Sequence, residues 1–200
     1  MVPARGRPDR KSRKLRVLGV DPAVKGATGY GVIELDGAEA RPMRFGAWKL
    51  PATLPFAARL REIHFLVSGL VEQFAPDAVA VESVFTALNA GTALKLAEMR
   101  GVVLLAAAQA QIPAHSYSPR EVKAAVAGFG GASKQQMQQM VSSLLRLPCV
   151  PEPADAADAL AVALCHAQMA QARERIEAAT GLRVPAGRAV AAGRIATPRA

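Results

Sequence analysis

The sequence predicts an α/β protein whose mixed β-sheet, a three-strand meander plus parallel strands, carries helices on both faces. Two apolar segments of strand length, Val17–Pro22 and Ala78–Val84, are bounded by turn-forming residues. Helical patterns alternate with the later strands, and such strand-helix-strand segments imply a mixed sheet with helices on its faces. The dipeptide Asp36-Gly37 is a hairpin signal, which adds antiparallel strands to the same sheet.

The first three strands form the meander. Val17–Pro22 is followed by a loop over Ala23–Ala27 and by a second strand over Thr28–Leu35. After the hairpin turn the third strand covers Ala38–Leu50.

The middle of the chain alternates helices and strands. Apolar residues recur every three or four positions over Pro55–Phe74, with charged residues between them, which predicts an amphipathic helix. After the strand Ala78–Val84, a long helix covers Asn89–Gln111 and a fifth strand covers Ile112–Tyr117.

The last third of the chain is helical. Ser118 and Ser133 are N-cap residues, each followed three positions later by Glu or Gln. Between these helices, Gly128–Gly131 fits either a plain interhelical turn or a loop whose N–H groups approach an anion. A final helix runs from near Asp155 to about Ala178.

Four carboxylates lie where these elements begin or end. Asp21 and Glu82 each close an apolar strand, and Asp155 and Asp158 open the last helix. A buried ionised carboxylate is costly unless it is paired or bound to a cation. Asp155 and Asp158 are three positions apart, so both can point at one centre.

The donor types at this predicted site favour particular ions. Carboxylate oxygens without His or Cys favour Mg²⁺ or Mn²⁺ over zinc. Two such ions about 4 Å apart activate a water and stabilise the leaving oxygen of a phosphodiester. The alternative for Asp155 and Asp158 is a structural one, because acids in a first helical turn favour the dipole and can cap N–H groups.

The positive charge of the chain is concentrated in its two ends. The net charge is +9. Residues 1–16 hold seven basic side chains against one acid, and residues 167–200 hold six arginines against two acids, whereas residues 17–166 have 12 basic and 13 acidic residues. Basic tails favour a polyanion such as nucleic acid, and disordered solubilising ends are the alternative.

Composition excludes several classes of protein. Cys149 and Cys165 form no metal-ligand cluster, so neither a disulfide framework nor a zinc site is indicated. No apolar run approaches the roughly 18 residues of a membrane span, and no signal-peptide pattern is present. We therefore expect a cytoplasmic protein with one domain over 15–178, a basic tail over 1–14 and an Arg-rich tail over 179–200, both tails disordered.

Several motifs occur in a fixed order along the chain. They are Val17–Pro22 followed by Thr28–Val32, Val81–Phe85, Ala93–Leu96, Arg100–Val102, Val122-Lys123 and Ala154–Ala161. Together they resemble the RuvC family of Holliday-junction resolvases. The resemblance covers about residues 15 to 168. Any one of these motifs alone would be weak, but the combination is specific.

The resemblance implies a ribonuclease H-like fold and a homodimer that makes Mg²⁺-dependent symmetric nicks in four-way DNA junctions. It also implies RuvA and RuvB as branch-migration partners. The catalytic carboxylates of the family fall on Asp21, Glu82, Asp155 and Asp158. Its junction-contacting positions fall on Phe85, beside unstacked bases, and on Lys123 and Lys134, near the scissile phosphates.

One segment departs from the family pattern. Ala23 stands where the family usually has Gly after Asp-Pro, and the loop over Ala23–Ala27 is one residue longer than usual, with Gly26 taking over the turn. This departure concerns the loop beside Asp21 rather than Asp21 itself.

Other functions share parts of the pattern. Actin-like sugar kinases also open with a strand, an Asp and a Thr-Gly strand, but they need two such domains. A non-enzymatic junction-binding protein, a ribonuclease H or a transposase-like nuclease would keep the fold. For a dimer face, the helix over Asn89–Gln111 is our hypothesis, because its second half is more apolar than one-sided burial requires.

Overall fold

A computed structural model describes residues 14–83 and 89–184 and a short strand at 189–190 of the 200-residue chain. Every element predicted from the sequence is present, with ends that differ by a few residues. In chain order they are β1 Leu15–Asp21, β2 Thr28–Asp36, β3 Glu39–Trp48, α1 Phe56–Phe74, β4 Ala78–Glu82, α2 Ala90–Gln109, β5 Ala114–Tyr117, α3 Pro119–Ala127, α4 Lys134–Leu144, α5 Ala154–Thr180 and β6 Ala189–Val190.

The strands form one mixed sheet, in the order β3-β2-β1-β4-β5-β6. The meander β1-β2-β3 is antiparallel, whereas β1 pairs in parallel with β4 and β4 with β5. This confirms the predicted mixed sheet. Strand β6 pairs antiparallel with β5 and was not predicted, because two residues are too short to show a period.

The C-terminal boundary also differs from the expected one. Helix α5 continues to Thr180, and β6 lies at Ala189–Val190. Part of the segment over 179–200, expected to be a disordered tail, therefore has regular structure.

Alternation along the strands divides the core into two layers. Leu18 and Val20 point to the face covered by α1 and α2, whereas Val17 and Ile33 point to the face covered by α3, α4 and α5. Helices thus cover both faces, as predicted.

The helix ends follow the sequence signals. Ser118 with Glu121, and Ser133 with Gln136, form reciprocal capping boxes at the starts of α3 and α4. Gly128 ends α3 with a left-handed φ of 84°, and its N–H donates to the carbonyl of Ala124. Gly128 therefore acts as a helix terminator.

Helix α5 packs directly on the backbone of the central strands because three positions there lack a side chain. A Cβ at Gly19 would overlap the carbonyl of Ala159, and one at Gly29 would overlap the carbonyl of Asp155. A Cβ at Gly31 would lie 2.7 Å from Leu160 Cδ2. The glycine face of β1 and β2, Gly19, Gly29 and Gly31, thus fixes how closely α5 approaches the sheet.

We expect Gly29→Ala to lower the free energy of unfolding by about 1 to 3 kcal/mol or more, because the new methyl group meets main-chain atoms that cannot rotate away. Gly69→Ala in α1 is the matched control, since nothing lies within 4 Å of its added Cβ. In that helix the same change should stabilise by up to about 1 kcal/mol. Chemical denaturation of both variants measures the difference, and equal stabilities would contradict the close packing of α5.

Candidate active site

Asp21 and Glu82 lie side by side at one edge of the sheet. Parallel strands β1 and β4 are in register through Val20 and Val81, so the next residue on each strand is a carboxylate. The two half-buried side chains are joined by a hydrogen bond. Sheet geometry alone therefore brings together two acids that are 61 positions apart in the sequence.

Burial and neighbouring negative charges raise the pKa of both Asp21 and Glu82. The pKa of Asp21 is raised to about 8, first by burial and then by the charges of Glu82, Asp158 and Asp155. Burial also raises the pKa of Glu82, with a further rise from Asp158. Without a bound cation, the pair holds a proton near neutral pH.

Helix α5 supplies the other two acids. Asp155 lies in its first turn, directly over Gly29, and Asp158 follows one turn later. The N-cap of α5 is Pro153, and no side chain makes a capping hydrogen bond there. The capping alternative for Asp155 and Asp158 therefore has no support in this geometry, although Asp155 still suits the helix dipole.

Two lysines lie beside these carboxylates. Lys134 Nζ is 3.1 Å from Asp158 Oδ2, and this contact raises the lysine's pKa. Lys123 is half-buried, and its charge opposes the rise in the pKa of Glu82. Glu82, Lys123, Lys134 and Asp158 line one cavity of about 240 Å³.

The donor chemistry of this centre fits a hard divalent ion, although its side chains are not arranged around one. Across 14–83 and 89–184, no three Asp, Glu, His or Cys side chains are placed to hold a metal ion together. Asp21 and Glu82 instead share a hydrogen bond, and Asp158 pairs with Lys134. A cation would take the place of these two contacts, using oxygen donors of the kind Mg²⁺ prefers.

The structure thus brings six of the seven residues singled out in the sequence to one place. They are Asp21, Glu82, Lys123, Lys134, Asp155 and Asp158. The seventh, Phe85, lies outside the described residues, so its predicted contact with unstacked bases stays a prediction.

Arg59 is a residue near the site that the sequence did not reveal. Its guanidinium donates to the carbonyl of Val24 at 2.8 Å and to that of Leu50 at 3.4 Å. It therefore ties the loop after Asp21 to the connection between β3 and α1. No sequence signal marks it, because both acceptors are main-chain atoms.

The loop after Asp21 turns as expected from its glycine. Gly26 has a φ of 94°, a conformation that favours glycine. Thr28 Oγ1 accepts a hydrogen bond from the N–H of Ala23, at 3.3 Å. Thr28 and Arg59 thus hold the adjacent residues Ala23 and Val24 at the start of the loop.

Comparison with known proteins identifies the family. The family model described as crossover junction endodeoxyribonuclease RuvC matches residues 17–166. The RuvC of Chloroflexus aggregans is 47% identical over 161 residues, which are 80% of this chain and 98% of that protein. The RuvC of Thermomicrobium roseum is 48% identical over 160 residues, covering 80% and 97%.

Solved structures agree with the sequence comparison. Thermus thermophilus RuvC superposes with a TM-score of 0.73 at 37% identity, covering 79% of this chain and 96% of the other. The same protein in complex with Holliday junction substrate gives a TM-score of 0.72 at 35% identity, with the same coverage. The yeast mitochondrial resolvase Ydc2, at 16% identity and a TM-score of 0.57 over 82% and 84%, shares the fold.

These matches confirm the resemblance and the ribonuclease H-like fold that it implied. They rule out the alternative of an actin-like sugar kinase. They extend over the same segment that carries the four carboxylates. The chain belongs to the RuvC family of crossover junction endodeoxyribonucleases.

Proposed function

We propose that this protein resolves Holliday junctions in recombination and repair by paired symmetric nicks, made at the carboxylate centre of Asp21, Glu82, Asp155 and Asp158. The observation that carries the proposal is the convergence of these four acids at one end of the sheet. The relatives that match this chain over nearly their whole length are named crossover junction endodeoxyribonucleases.

The family is one of divalent-metal-dependent nucleases, and Mg²⁺ is the ion we propose here, two per site, with Mn²⁺ as a substitute. Bound there, the metal supplies an activated water and charge stabilisation for the phosphodiester. The role of Asp21 and Glu82 is to hold it at the end of the rigid sheet. Asp155 and Asp158 complete the oxygen donor set from α5.

The lysines complement the negative charge of the substrate. Lys134 is more than half exposed and leans on Asp158, so its ammonium can turn from that carboxylate to a phosphate. Lys123 lies deeper, beside Glu82. We propose that both face the scissile phosphate and that Phe85 stacks on bases opened at the junction.

Symmetric resolution requires two active sites related by a two-fold axis, and we therefore propose a homodimer. Helix α2 offers a surface for it, because Leu94 and Leu105 are exposed there at 66% and 51%. RuvA and RuvB are the proposed branch-migration partners, and the cytoplasm is the proposed location. Among the described residues, no helix has both the length and the apolar character to cross a membrane.

A cleavage assay tests the proposed function. Four-way junction DNA, linear duplex and RNA–DNA hybrid are compared with Mg²⁺ present and after chelation. We expect paired nicks in the junction alone. Preferential cleavage of the hybrid would indicate a ribonuclease H, and cleavage of the linear duplex would indicate a less selective nuclease.

Replacing any one of the four carboxylates by its amide should abolish or severely reduce nicking while junction binding survives. The amide keeps the size of the side chain but removes the charge that holds the cation. The measurement pairs the nicking rate of Asp21→Asn, Glu82→Gln, Asp155→Asn and Asp158→Asn with their affinity for the junction.

Asp36→Asn, at the far end of the meander, is the matched control and should nick normally. Normal nicking by Asp158→Asn would return that residue to a structural role. Normal nicking by both Asp21→Asn and Glu82→Gln would contradict the metal-nuclease mechanism.

Asp21→Asn should also stabilise the metal-free protein at alkaline pH. A carboxyl whose pKa is raised to about 8 in the fold contributes stability below its unfolded pKa and loses it as the pH rises through about 8. The amide has no such loss, so the melting temperature of the variant should exceed the wild type's more at pH 9 than at pH 5. For a chain of this length about 1 kcal/mol corresponds to about 2 to 4 °C.

Thermal melts in the presence of a chelator measure this difference, with Asp36→Asn again as the control. A gain that is the same at both pH values would show that burial of the Asp21 charge does not destabilise the fold.

Lys123→Ala and Lys134→Ala should each slow nicking by about a hundredfold, because each removes a positive charge from the site of the transferring phosphate. Each should also flatten the dependence of log K on log salt by about one unit, to the extent that it contacts a phosphate. Lys14→Ala, whose ammonium pairs with Glu34 at the other end of the sheet, is the control. Wild-type rates in both site variants would remove these lysines from the mechanism.

A further inference from the structure

A second basic surface, separate from Lys123 and Lys134, lies next to the loop that follows Asp21. It is an open cavity of about 770 Å³, which we call the basic groove. Its basic residues are Lys25, Lys49, Arg59 and Lys95, and no acidic residue lines it. These four come from the loop after β1, the connection after β3, α1 and α2, so no short sequence motif contains them.

The basic residues of the groove are not neutralised by carboxylates of the described chain. Within 14–83 and 89–184, none of Lys25, Lys49, Arg59 and Lys95 forms an ion pair with a carboxylate, whereas six other basic residues do. Those six are Lys14, Arg16, Arg41, Arg61, Lys134 and Arg146. The groove therefore presents positive charge that the described protein does not neutralise.

The groove is built on fixed elements. Arg59 bridges the carbonyls of Val24 and Leu50, and its Nε is buried without a hydrogen-bond partner. The ammonium of Lys95 lies 5.7 Å from the centre of the Phe56 ring. Lys25, Lys49 and Lys95 are all exposed, so their ammonium groups can reach a ligand.

The position of the groove relates it to the candidate active site. Lys25 is four residues beyond Asp21, so their Cα atoms are separated by at most about 14 Å. A strand of B-form DNA advances about 3.4 Å along the axis per phosphate. If the scissile phosphate of a duplex lies at Asp21, the phosphates up to about four nucleotides away on that strand are within reach of Lys25.

We propose that the basic groove binds the sugar-phosphate backbone of a duplex arm of the junction, to one side of the scissile phosphate. Its charges are spread over four chain segments and an open cavity, which suits a polyanion better than one small anion. Lysine ammonium groups on flexible stems bind phosphates as point charges and carry no base specificity. This inference rests on the proposed function, since it takes the junction as the ligand.

The test measures how junction affinity depends on salt. A triple variant, Lys25→Gln, Lys49→Gln and Lys95→Gln, is compared with the wild type by binding to a four-way junction without divalent metal. Arg59 is left intact because it also holds the loop. The slope of log K against log salt should fall by about one unit per lysine, and the affinity by about tenfold or more.

A matched control removes the same charge elsewhere. Lys14→Gln, Arg41→Gln and Arg146→Gln also lose three positive charges, but these side chains pair with Glu34 and Glu39 at the other end of the sheet. Their salt slope should stay within about half a unit of the wild type's.

The outcomes separate this inference from the proposed function. A groove variant that keeps the wild-type slope overturns the groove as a DNA site and would leave an acidic protein partner as its ligand. Equal loss in both triple variants also overturns it, because the effect would then follow net charge. Failure of the wild type to nick the junction would instead overturn the proposed function.

Discussion

The contact between α5 and the glycine face of β1 and β2 is the constraint on which the candidate site depends. Gly19, Gly29 and Gly31 allow the helix backbone to touch the strands, and side chains at these positions would push it away. Asp155 lies directly over Gly29, which is the register partner of Asp21. The close packing of α5 on these strands therefore also determines where Asp155 and Asp158 lie.

The buried strands and helix hold the carboxylates of the site close together although their charges repel one another. Asp21 and Glu82 each follow four buried residues of their strand, and α5 is buried over much of its length. The pKa of Asp21 rises because Asp21 is partly buried in this frame and faces the charges of the other acids. Repulsion among these acids lowers the free energy of unfolding, and binding of a cation or a proton raises it again. Stability of the fold is therefore coupled to binding at the site.

The sequence predicted most of the fold because each element carried a local signal. Alternating and helical periods, capping boxes and the Asp36-Gly37 turn all act over a few residues. The four acids could be found for the same reason, since each marks an element end. The pairing of Lys134 with Asp158, the clamp by Arg59 and strand β6 could not, because they depend on tertiary distances between segments far apart in the chain.

The distribution of charge explains how an acidic centre and a polyanionic substrate can coexist. Residues 17–166 are close to neutral as a whole, so long-range attraction to DNA cannot come from their net charge. The fold instead places cations locally. Lys123 and Lys134 share a cavity with Glu82 and Asp158, and the cations of the basic groove lie next to the loop that follows Asp21. Cations beside an acidic centre can hold phosphates next to it, while the carboxylates stay available for metal. On this argument, the carboxylates serve catalysis, the basic groove serves affinity, and Lys123 and Lys134 serve both.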